Sequence, residues 1–438
     1  MSGNALFDRE FETLPAEAVR AHQDRLWERQ WEHVQLHSDF YRRKLGRAMQ
    51  RTLSLDDLQE LELTDKDELR ESQEACPPYG DYAACPEEPI LRLHRTSGTT
   101  GRALMLANTQ RDLEHIATVG ARGLFAAGLR PKDRVVHCLN YCMWTGGVTD
   151  HLSLERVGAT VVPYGVGGSE RLLEVIRELG ITAISCTPSY PALLETLLRR
   201  QGRDPRELGL RLGLFGGEAG LDNEEFRRGL EETWGFAARN ANYGLSEVLS
   251  NLGAQTEHAP DLLFHGADVI FPEILDPSSG QRLPIREGTV GELVCTHLDK
   301  VCQPLVRYRT RDVVTVTGVG PAPCGRTAWR FRVTGRMDDM FNVRGVNIFP
   351  SAVQEVVASH PELSSGHFRI VLDGPGPYDR VRLKVEAPEG VPATRWDDLA
   401  ARLSAAVRNR IGASAETRMV EFQSLPRTDG KTQLIERV

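Results

Sequence analysis

Hydroxyl groups, glycines and cations crowd into one eight-residue stretch, Arg95-Thr96-Ser97-Gly98-Thr99-Thr100-Gly101-Arg102. Glycines let a backbone approach a polyanion closely, and hydroxyls and amides can bond phosphate oxygens. The GxxxxGK(S/T) spacing is absent, so a Walker P-loop is excluded, and an exposed Ser/Thr/Gly turn is the competing reading. Further ligand-facing stretches are Thr187-Pro188-Ser189, Gly216-Gly217-Glu218 and the residues around Tyr243. In open α/β sheets, loops beyond the carboxyl ends of strands present backbone donors and helix N-termini to ligands.

Those loops need a sheet to hold them. Between Asp133 and Glu247, apolar runs of strand length (DRVVHCL, ATVVP, ITAISC, LRLGLF) alternate with helical patterns near Ser169 to Leu179, Tyr190 to Arg200 and Asn223 to Trp234. That alternation predicts a mainly parallel sheet covered by helices. Amphipathic helices are expected from Pro15 to Leu45, and the proline-rich segment Cys76 to Pro89 reads as an extended connection. From about Val290, short β-rich runs predict a small β-subdomain. After Gly335-Arg336, a helix near Ser351 to Ser359, strands HFRIVLD and RVRLKVEA, a helix near Trp396 to Ile411 and strand RMVEF give an α+β order of their own.

The chain has 438 residues, too many for one core, so two or more domains are expected. Its 53 basic and 61 acidic residues give a formal charge of −8 without long blocks, which argues against a nucleic-acid partner. No apolar run reaches the length of a membrane-spanning helix and the first residues lack a signal-peptide order, so a cytoplasmic location is the default expectation. Eight cysteines without a CxxC pair suit reduced thiols better than a disulfide framework.

Eight ordered motifs extend along nearly the whole chain: TSGTTGR at 96–102, CTPSY at 186–190, LFGGE at 214–218, YGLSE at 243–247, RYRTRD at 307–312, GRMDDM at 335–340, RGVNIFP at 344–350 and LPRTDGK at 425–431. With them the chain resembles the adenylate-forming ligases, in their phenylacetate-CoA ligase-like branch. The resemblance implies an α/β fold: a large N-terminal adenylation domain over residues 1–334 with mainly parallel helix-covered sheets plus a small β-subdomain, and a small mobile α+β domain over 335–438. It implies that a carboxylate attacks the α-phosphate of ATP, releasing pyrophosphate, and that the acyl-adenylate passes to a nucleophile. A carboxylate is already ionised at pH 7, so the need is positioning and charge neutralisation.

By the same resemblance, Thr96, Ser97, Gly98, Thr99, Thr100 and Gly101 hold phosphates, Glu247 coordinates Mg²⁺, and Asp312 accepts the ribose hydroxyls. Gly216, Gly217 and Glu218 face adenine, Tyr243 stacks on it beside Gly244 and Ser246, and Arg336 contacts the nucleotide. Asp338 is the hinge, Gly345 faces a pantetheine arm, and Lys431 bridges the acyl carboxylate and α-phosphate, so the catalytic set is Lys431, Glu247 and Thr99. Tyr141, Trp144, Gly146, Gly147, His151, Ser189, Ala219 and Gly220 line the pocket for the acid. The plain alternatives are a helix-start acid for Glu247, a salt bridge of Asp312 with Arg309 or Arg311, a core aromatic for Tyr243, a helix-start Trp144, a core His151 and an exposed tail lysine for Lys431.

This chain departs from the family pattern at several positions. Trp144 stands where a phenylalanine is usual, and Ala219-Gly220 where Pro-Trp is frequent, which reshapes the pocket. Ala322 replaces a cysteine of the relatives' metal cluster, leaving His258, His265, Cys302 and Cys324 as a tetrahedral zinc set, with buried thiols and free histidines as the alternative. The tail TDGKTQLIERV lacks basic residues just after its lysine, so a carrier protein, an amine or a phenol competes with coenzyme A as acceptor. The expectation is an aryl-CoA ligase using ATP, Mg²⁺ and coenzyme A on a small aromatic acid, without nucleic-acid or membrane partners and with a homodimer left open. Its rivals are an amide- or ester-forming biosynthetic ligase for aromatic natural products and a catalytically silent nucleotide-binding protein.

Overall fold

The structure, a computed structural model, describes residues 6–438 except 86–88, 97–102, 219, 338, 345, 375, 377 and 427–433. The chain divides into two compact units, one of Met1–Gly217, Leu230–Thr310 and Thr315–Arg332, the other of Glu218–Gly229, Arg311–Val314 and Val333–Val438. The second thus combines the C-terminal stretch from Val333 with two short earlier segments.

In the first unit, β1 (Arg92–Arg95) and β2 (Met105–Asn108) form an antiparallel hairpin. A parallel set follows: β3 (Arg134–His137), β4 (Thr160–Pro163), β5 (Ala183–Cys186), β6 (Leu212–Gly216) and the start of β7 (Ala237–Leu245). β5 and β6 are buried at every residue, as strands covered on both faces must be, which is why they read as unbroken apolar runs. The helix Ser169–Glu178 buries Leu172, Leu173 and Ile176, one stripe at helical spacing.

At β7 the sheet changes sense. β8 (Leu249–Thr256) returns antiparallel to β7, and β9 (Ala259–Phe264), β10 (Ile270–Leu275), β11 (Arg282–Leu283), β12 (Val290–His297), β13 (Tyr308–Gly318) and β14 (Arg330–Arg336) continue it. The full order is β11-β10-β12-β13-β14-β9-β8-β7-β6-β5-β3-β4. The β-rich stretch after Val290 therefore supplies strands to the same twelve-stranded sheet. The N-terminal helix Ala16–His37 is fixed to this unit by its tryptophans, whose indole N–H groups donate to the carbonyls of Leu53 and Arg51 at 2.7 and 2.9 Å.

The second unit holds the hairpin of β15 (Phe341–Val343) and β16 (Val346–Ile348), then a sheet of β17 (Phe368–Leu372), β18 (Val381–Glu386), β19 (Ala415–Val420) and β20 (Ile435–Arg437) in the order β19-β18-β17-β20. Its core joins Val353, Val356 and Val357 of the helix Pro350–Ala358 with Leu399, Leu403 and Val407 of the helix Trp396–Ile411 and the inward residues of the sheet. Among the described residues no helix is long and apolar enough to cross a membrane.

Leu403 is fully buried in that core, and Leu403→Ala is expected to cost about 2–5 kcal/mol through lost burial and a residual cavity. Amide hydrogen exchange checks it: protection should fall in β17 and β18 while β5 and β6 keep theirs.

Candidate active site

Ser246, Glu247 and Val248 form the turn that joins β7 to β8, so Glu247 stands on a β-hairpin and not at a helix start. Its side chain is only 6% exposed, and its Oε1 accepts from the Tyr308 hydroxyl at 2.6 Å and the Lys66 ammonium at 2.9 Å. Burial pushes the carboxyl up, but the Lys66 charge and the Tyr308 hydrogen bond outweigh it and hold Glu247 below its ordinary range. An ionised, positioned carboxylate is a suitable donor for a hard divalent cation. Before the turn, near the end of β7, a methyl group at Gly244 would stand 2.3 Å from the Ser250 carbonyl oxygen, so this position accepts no side chain. Tyr243 is half-buried, its ring edge-on to Phe331 at 5.4 Å.

The helix Thr145–Val157 begins at Trp144 and brings Gly146, Gly147, Asp150 and His151 together. Gly147 lets its first turn press on the preceding segment, since a methyl group there would meet the Asn140 carbonyl oxygen at 2.1 Å. His151 links two neighbours: Tyr141 hydroxyl to its Nδ1 at 2.9 Å, and its Nε2 to Glu155 at 3.1 Å. Beneath them the buried His137 sits 2.9 Å from the Gly147 carbonyl through Nε2 and 3.0 Å from the Ser185 hydroxyl through Nδ1. Burial lowers its pKa to about 4, so at neutral pH Nε2–H donates to the carbonyl and Nδ1 accepts from Ser185. Gly217 follows β6 with a positive φ of 81°, and Ser189 lies exposed after β5.

Thr96 follows β1. Its N–H donates to the Leu104 carbonyl, and its hydroxyl accepts from the Leu104 amide, both at 3.0 Å. It therefore closes the hairpin on either side of residues 97–102. The Arg95 amide bonds the Met143 carbonyl at 2.9 Å, joining the start of this segment to the residue before Trp144. Ser97, Gly98, Thr99, Thr100, Gly101, Ala219, Asp338, Gly345 and Lys431 lie outside the described residues.

In the second unit, Asp312 is buried and pairs with Arg336 at 2.7 Å, while in the first unit Arg309 pairs with Glu292. Glu218 is half-buried, and Gly220 has a φ of 142° beside the ring of Phe226.

The zinc set is corrected. Among the described residues no three His, Cys, Asp or Glu side chains group so as to hold a metal ion. His258 is exposed in the β8–β9 turn, His265 is buried with its pKa lowered to about 3 by burial, and the Cys302 sulfur lies 2.6 Å from that of Cys85. Cys324 is half-buried in the loop before β14, so His258, His265, Cys302 and Cys324 are not brought to one point.

Some residues around the site escaped the sequence reading. Lys66 sits in an ordinary charged helix start, 181 positions from Glu247, and no spacing could reveal that pairing. Tyr308 lay inside RYRTRD but carried no assigned role. Asp150 and Asn242, which are hydrogen-bonded, flank the assigned residues Gly147, His151 and Tyr243.

Residues 32–297 match the family model described as AMP-binding enzyme, and residues 345–436 match the AMP-binding enzyme C-terminal domain. A phenylacetate-coenzyme A ligase of Pseudomonas putida is 36% identical over 96% of this chain and 94% of its own length. One from Thermus thermophilus is 34% identical over 97% of both chains. Among solved structures, 2-hydroxyisobutyryl-CoA ligase in its postadenylation state, in complex with 2-HIB-AMP, superposes with a TM-score of 0.89 at 29% identity, covering 100% of this chain and 93% of that one. The chain belongs to the AMP-binding enzymes, the adenylate-forming ligases, in their phenylacetate-CoA ligase-like branch.

Proposed function

We propose that this enzyme activates an aryl or arylacetic carboxylic acid with ATP and transfers the acyl group to coenzyme A. The observation that carries the proposal is the buried, ionised Glu247 on the hairpin beyond the carboxyl ends of the parallel strands, within a family whose relatives include phenylacetate-coenzyme A ligases.

In the first step an oxygen of the acid's carboxylate forms a bond to the α-phosphorus, and the bond from that phosphorus to the leaving pyrophosphate breaks. Thr96 anchors the hairpin whose Ser97, Thr99, Thr100 and glycine amides would cradle the phosphates. Glu247 would hold Mg²⁺, whose charge would offset that of the triphosphate. Asp312, braced by Arg336, would accept the ribose hydroxyls, and Tyr243, Gly216, Gly217 and Glu218 would take the adenine beside Gly244 and Ser246. Lys431 would place an ammonium between the carboxylate and the α-phosphate as charge shifts. In the second step the thiol sulfur of coenzyme A gives up its proton to solvent and bonds the acyl carbon, while the bond from that carbon to the phosphate oxygen breaks and AMP leaves. Asp338 would supply the hinge and Gly345 the approach of the pantetheine arm.

The carboxylic acid would lie among Tyr141, Trp144, Gly146, Gly147, His151, Ser189, Ala219 and Gly220, with Tyr141 and His151 oriented by the chain of bonds that ends on Glu155. Thr432, Gln433 and Leu434, just after Lys431, include no cation, which keeps an amine, phenol or carrier protein as the second reading for the acceptor. Product mass with and without coenzyme A separates the two.

Pyrophosphate release that depends on an aromatic acid tests the reading. Lys431→Ala should abolish it while nucleotide binding, followed by calorimetry, is largely kept; near-normal adenylation by this variant contradicts the role. A separate check concerns Glu247. Without the Lys66 ammonium, burial dominates and the carboxyl pKa rises, so less of it is ionised on the acid side. Lys66→Met is therefore expected to move the acid limb of kcat/KM up by about one pH unit or more, and Lys66→Arg to leave it near its original place. An unchanged profile in Lys66→Met would remove Lys66 from the site.

A further inference from the structure

The helix Thr145–Val157 buries several polar side chains, and their fates differ. Thr149 and Ser153 return their hydroxyls to the carbonyls of Thr145 and Thr149 at 2.6 and 2.8 Å. Asp150, only 4% exposed, accepts one hydrogen bond, from the Asn242 amide to Oδ2. Its Oδ1 has no hydrogen-bond partner among the described residues, as does the Thr145 hydroxyl at the start of the helix. No cation among the described residues pairs with Asp150, and burial raises its pKa to about 7. Natural interiors leave few such groups unsatisfied, so a buried carboxyl oxygen without a partner calls for a reason.

Its surroundings supply one. Asn242 pairs with Gly216 across β6 and β7, and lies so close that a methyl group on Gly216 would stand 2.7 Å from the Asn242 Cβ. A methyl group on Gly217, the next residue, would lie 3.6 Å from the Trp144 ring and 3.9 Å from the Thr187 methyl. Trp144 in turn covers Gly146, on the helix that carries Asp150. These contacts close a ring: Trp144, Gly217, Gly216, Asn242, Asp150 and Gly146. Along it burial increases from the exposed Gly217 through half-buried Trp144 and Asn242 to buried Asp150. A methyl group on Gly146 would stand 2.9 Å from the Trp144 ring, so the two glycines let Trp144 and Asn242 pack directly on the backbone around Asp150.

We infer that Asp150 and Asn242 form the polar inner end of the acid pocket, and that the preferred acid carries a ring substituent with a hydrogen-bond donor, an amino or hydroxyl group, directed at Asp150 Oδ1. The inference rests on the reading of this pocket as the acid site. An unsubstituted ring at that depth leaves the carboxyl oxygen desolvated and unpaired, whereas an N–H or O–H completes it. Sites built to bond a substrate donor discriminate strongly against the analogue lacking it.

The test is pyrophosphate release with Mg·ATP and matched sets of benzoic and arylacetic acids: the parent, its amino, hydroxyl and methyl derivatives, the last matching the size without the donor. The wild-type enzyme should favour an amino or hydroxyl acid over the parent and methyl acids by about tenfold or more in kcat/KM. Asp150→Ala should compress that ratio to near unity, and Asp150→Ala/Asn242→Leu, which makes the floor apolar, should favour parent or methyl acids. The readout is the ratio between paired acids, which a general loss of folding does not move, and thermal melting establishes that each variant is folded. Wild-type enzyme that treats methyl and hydroxyl acids alike, or Asp150→Ala that keeps the wild-type ratio, overturns the inference while the acid-activating reading stands. Failure of every aromatic acid to release pyrophosphate removes that reading as well.

Discussion

A carboxylate nearly withdrawn from water stays ionised only if something pays its desolvation, and Glu247 is in that position. Its side chain is 6% exposed, and the Lys66 ammonium and the Tyr308 hydroxyl meet at one of its oxygens. Distant parts of the chain must converge to make that arrangement: the helix start near Lys66, the β7–β8 hairpin and the first residue of β13. A buried ion pair of this kind is weak evidence for stability, because desolvation offsets much of the attraction. Its value lies in placement, since it fixes a negative charge beyond the strand ends of a sheet whose neighbouring loops carry Gly217 and Ser189.

Elsewhere in the first unit, backbones are brought unusually close together. Gly147 and Gly244 occupy positions where any Cβ would meet a carbonyl oxygen at little more than 2 Å. The change from parallel to antiparallel pairing at β7 produces the hairpin turn that carries Ser246 and Glu247. Polar groups below this surface are mostly satisfied: His137 spends both ring nitrogens on Gly147 and Ser185, and His151 is held between Tyr141 and Glu155. Against that background the open oxygen of Asp150, a buried carboxyl group that shares its helix with the likewise unpartnered Thr145 hydroxyl, is informative about the ligand.

Much of the architecture was legible in the sequence. The runs DRVVHCL, ITAISC and LRLGLF are near-continuous in apolar residues because both faces of β3, β5 and β6 are covered, and the helices between them show regular stripes. The helix Trp396–Ile411 falls where its periodicity puts it. What composition could not reveal was that the β-rich stretch after Val290 extends the same sheet, since strand order depends on pairing between residues far apart in the chain. For the site, the motifs marked loops but not partners. Lys66 and Asn242 are polar residues in unremarkable surroundings, and only the fold sets them against Glu247 and Asp150. The same holds for the zinc set, because ligand types along a chain do not fix their positions in space, and the fold sends Cys302 to Cys85 and His258 to an exposed turn.

The central claim is that the Glu247 carboxylate anchors the divalent ion of the nucleotide. A crystal structure of the full chain with Mn²⁺ and a non-hydrolysable ATP analogue, with the metal located by anomalous scattering, tests it most directly. The account predicts a metal peak about 2.0–2.3 Å from a Glu247 oxygen and shared with phosphate oxygens. A metal bound to the phosphates with Glu247 remote from it, still engaged only by Lys66 and Tyr308, would contradict it.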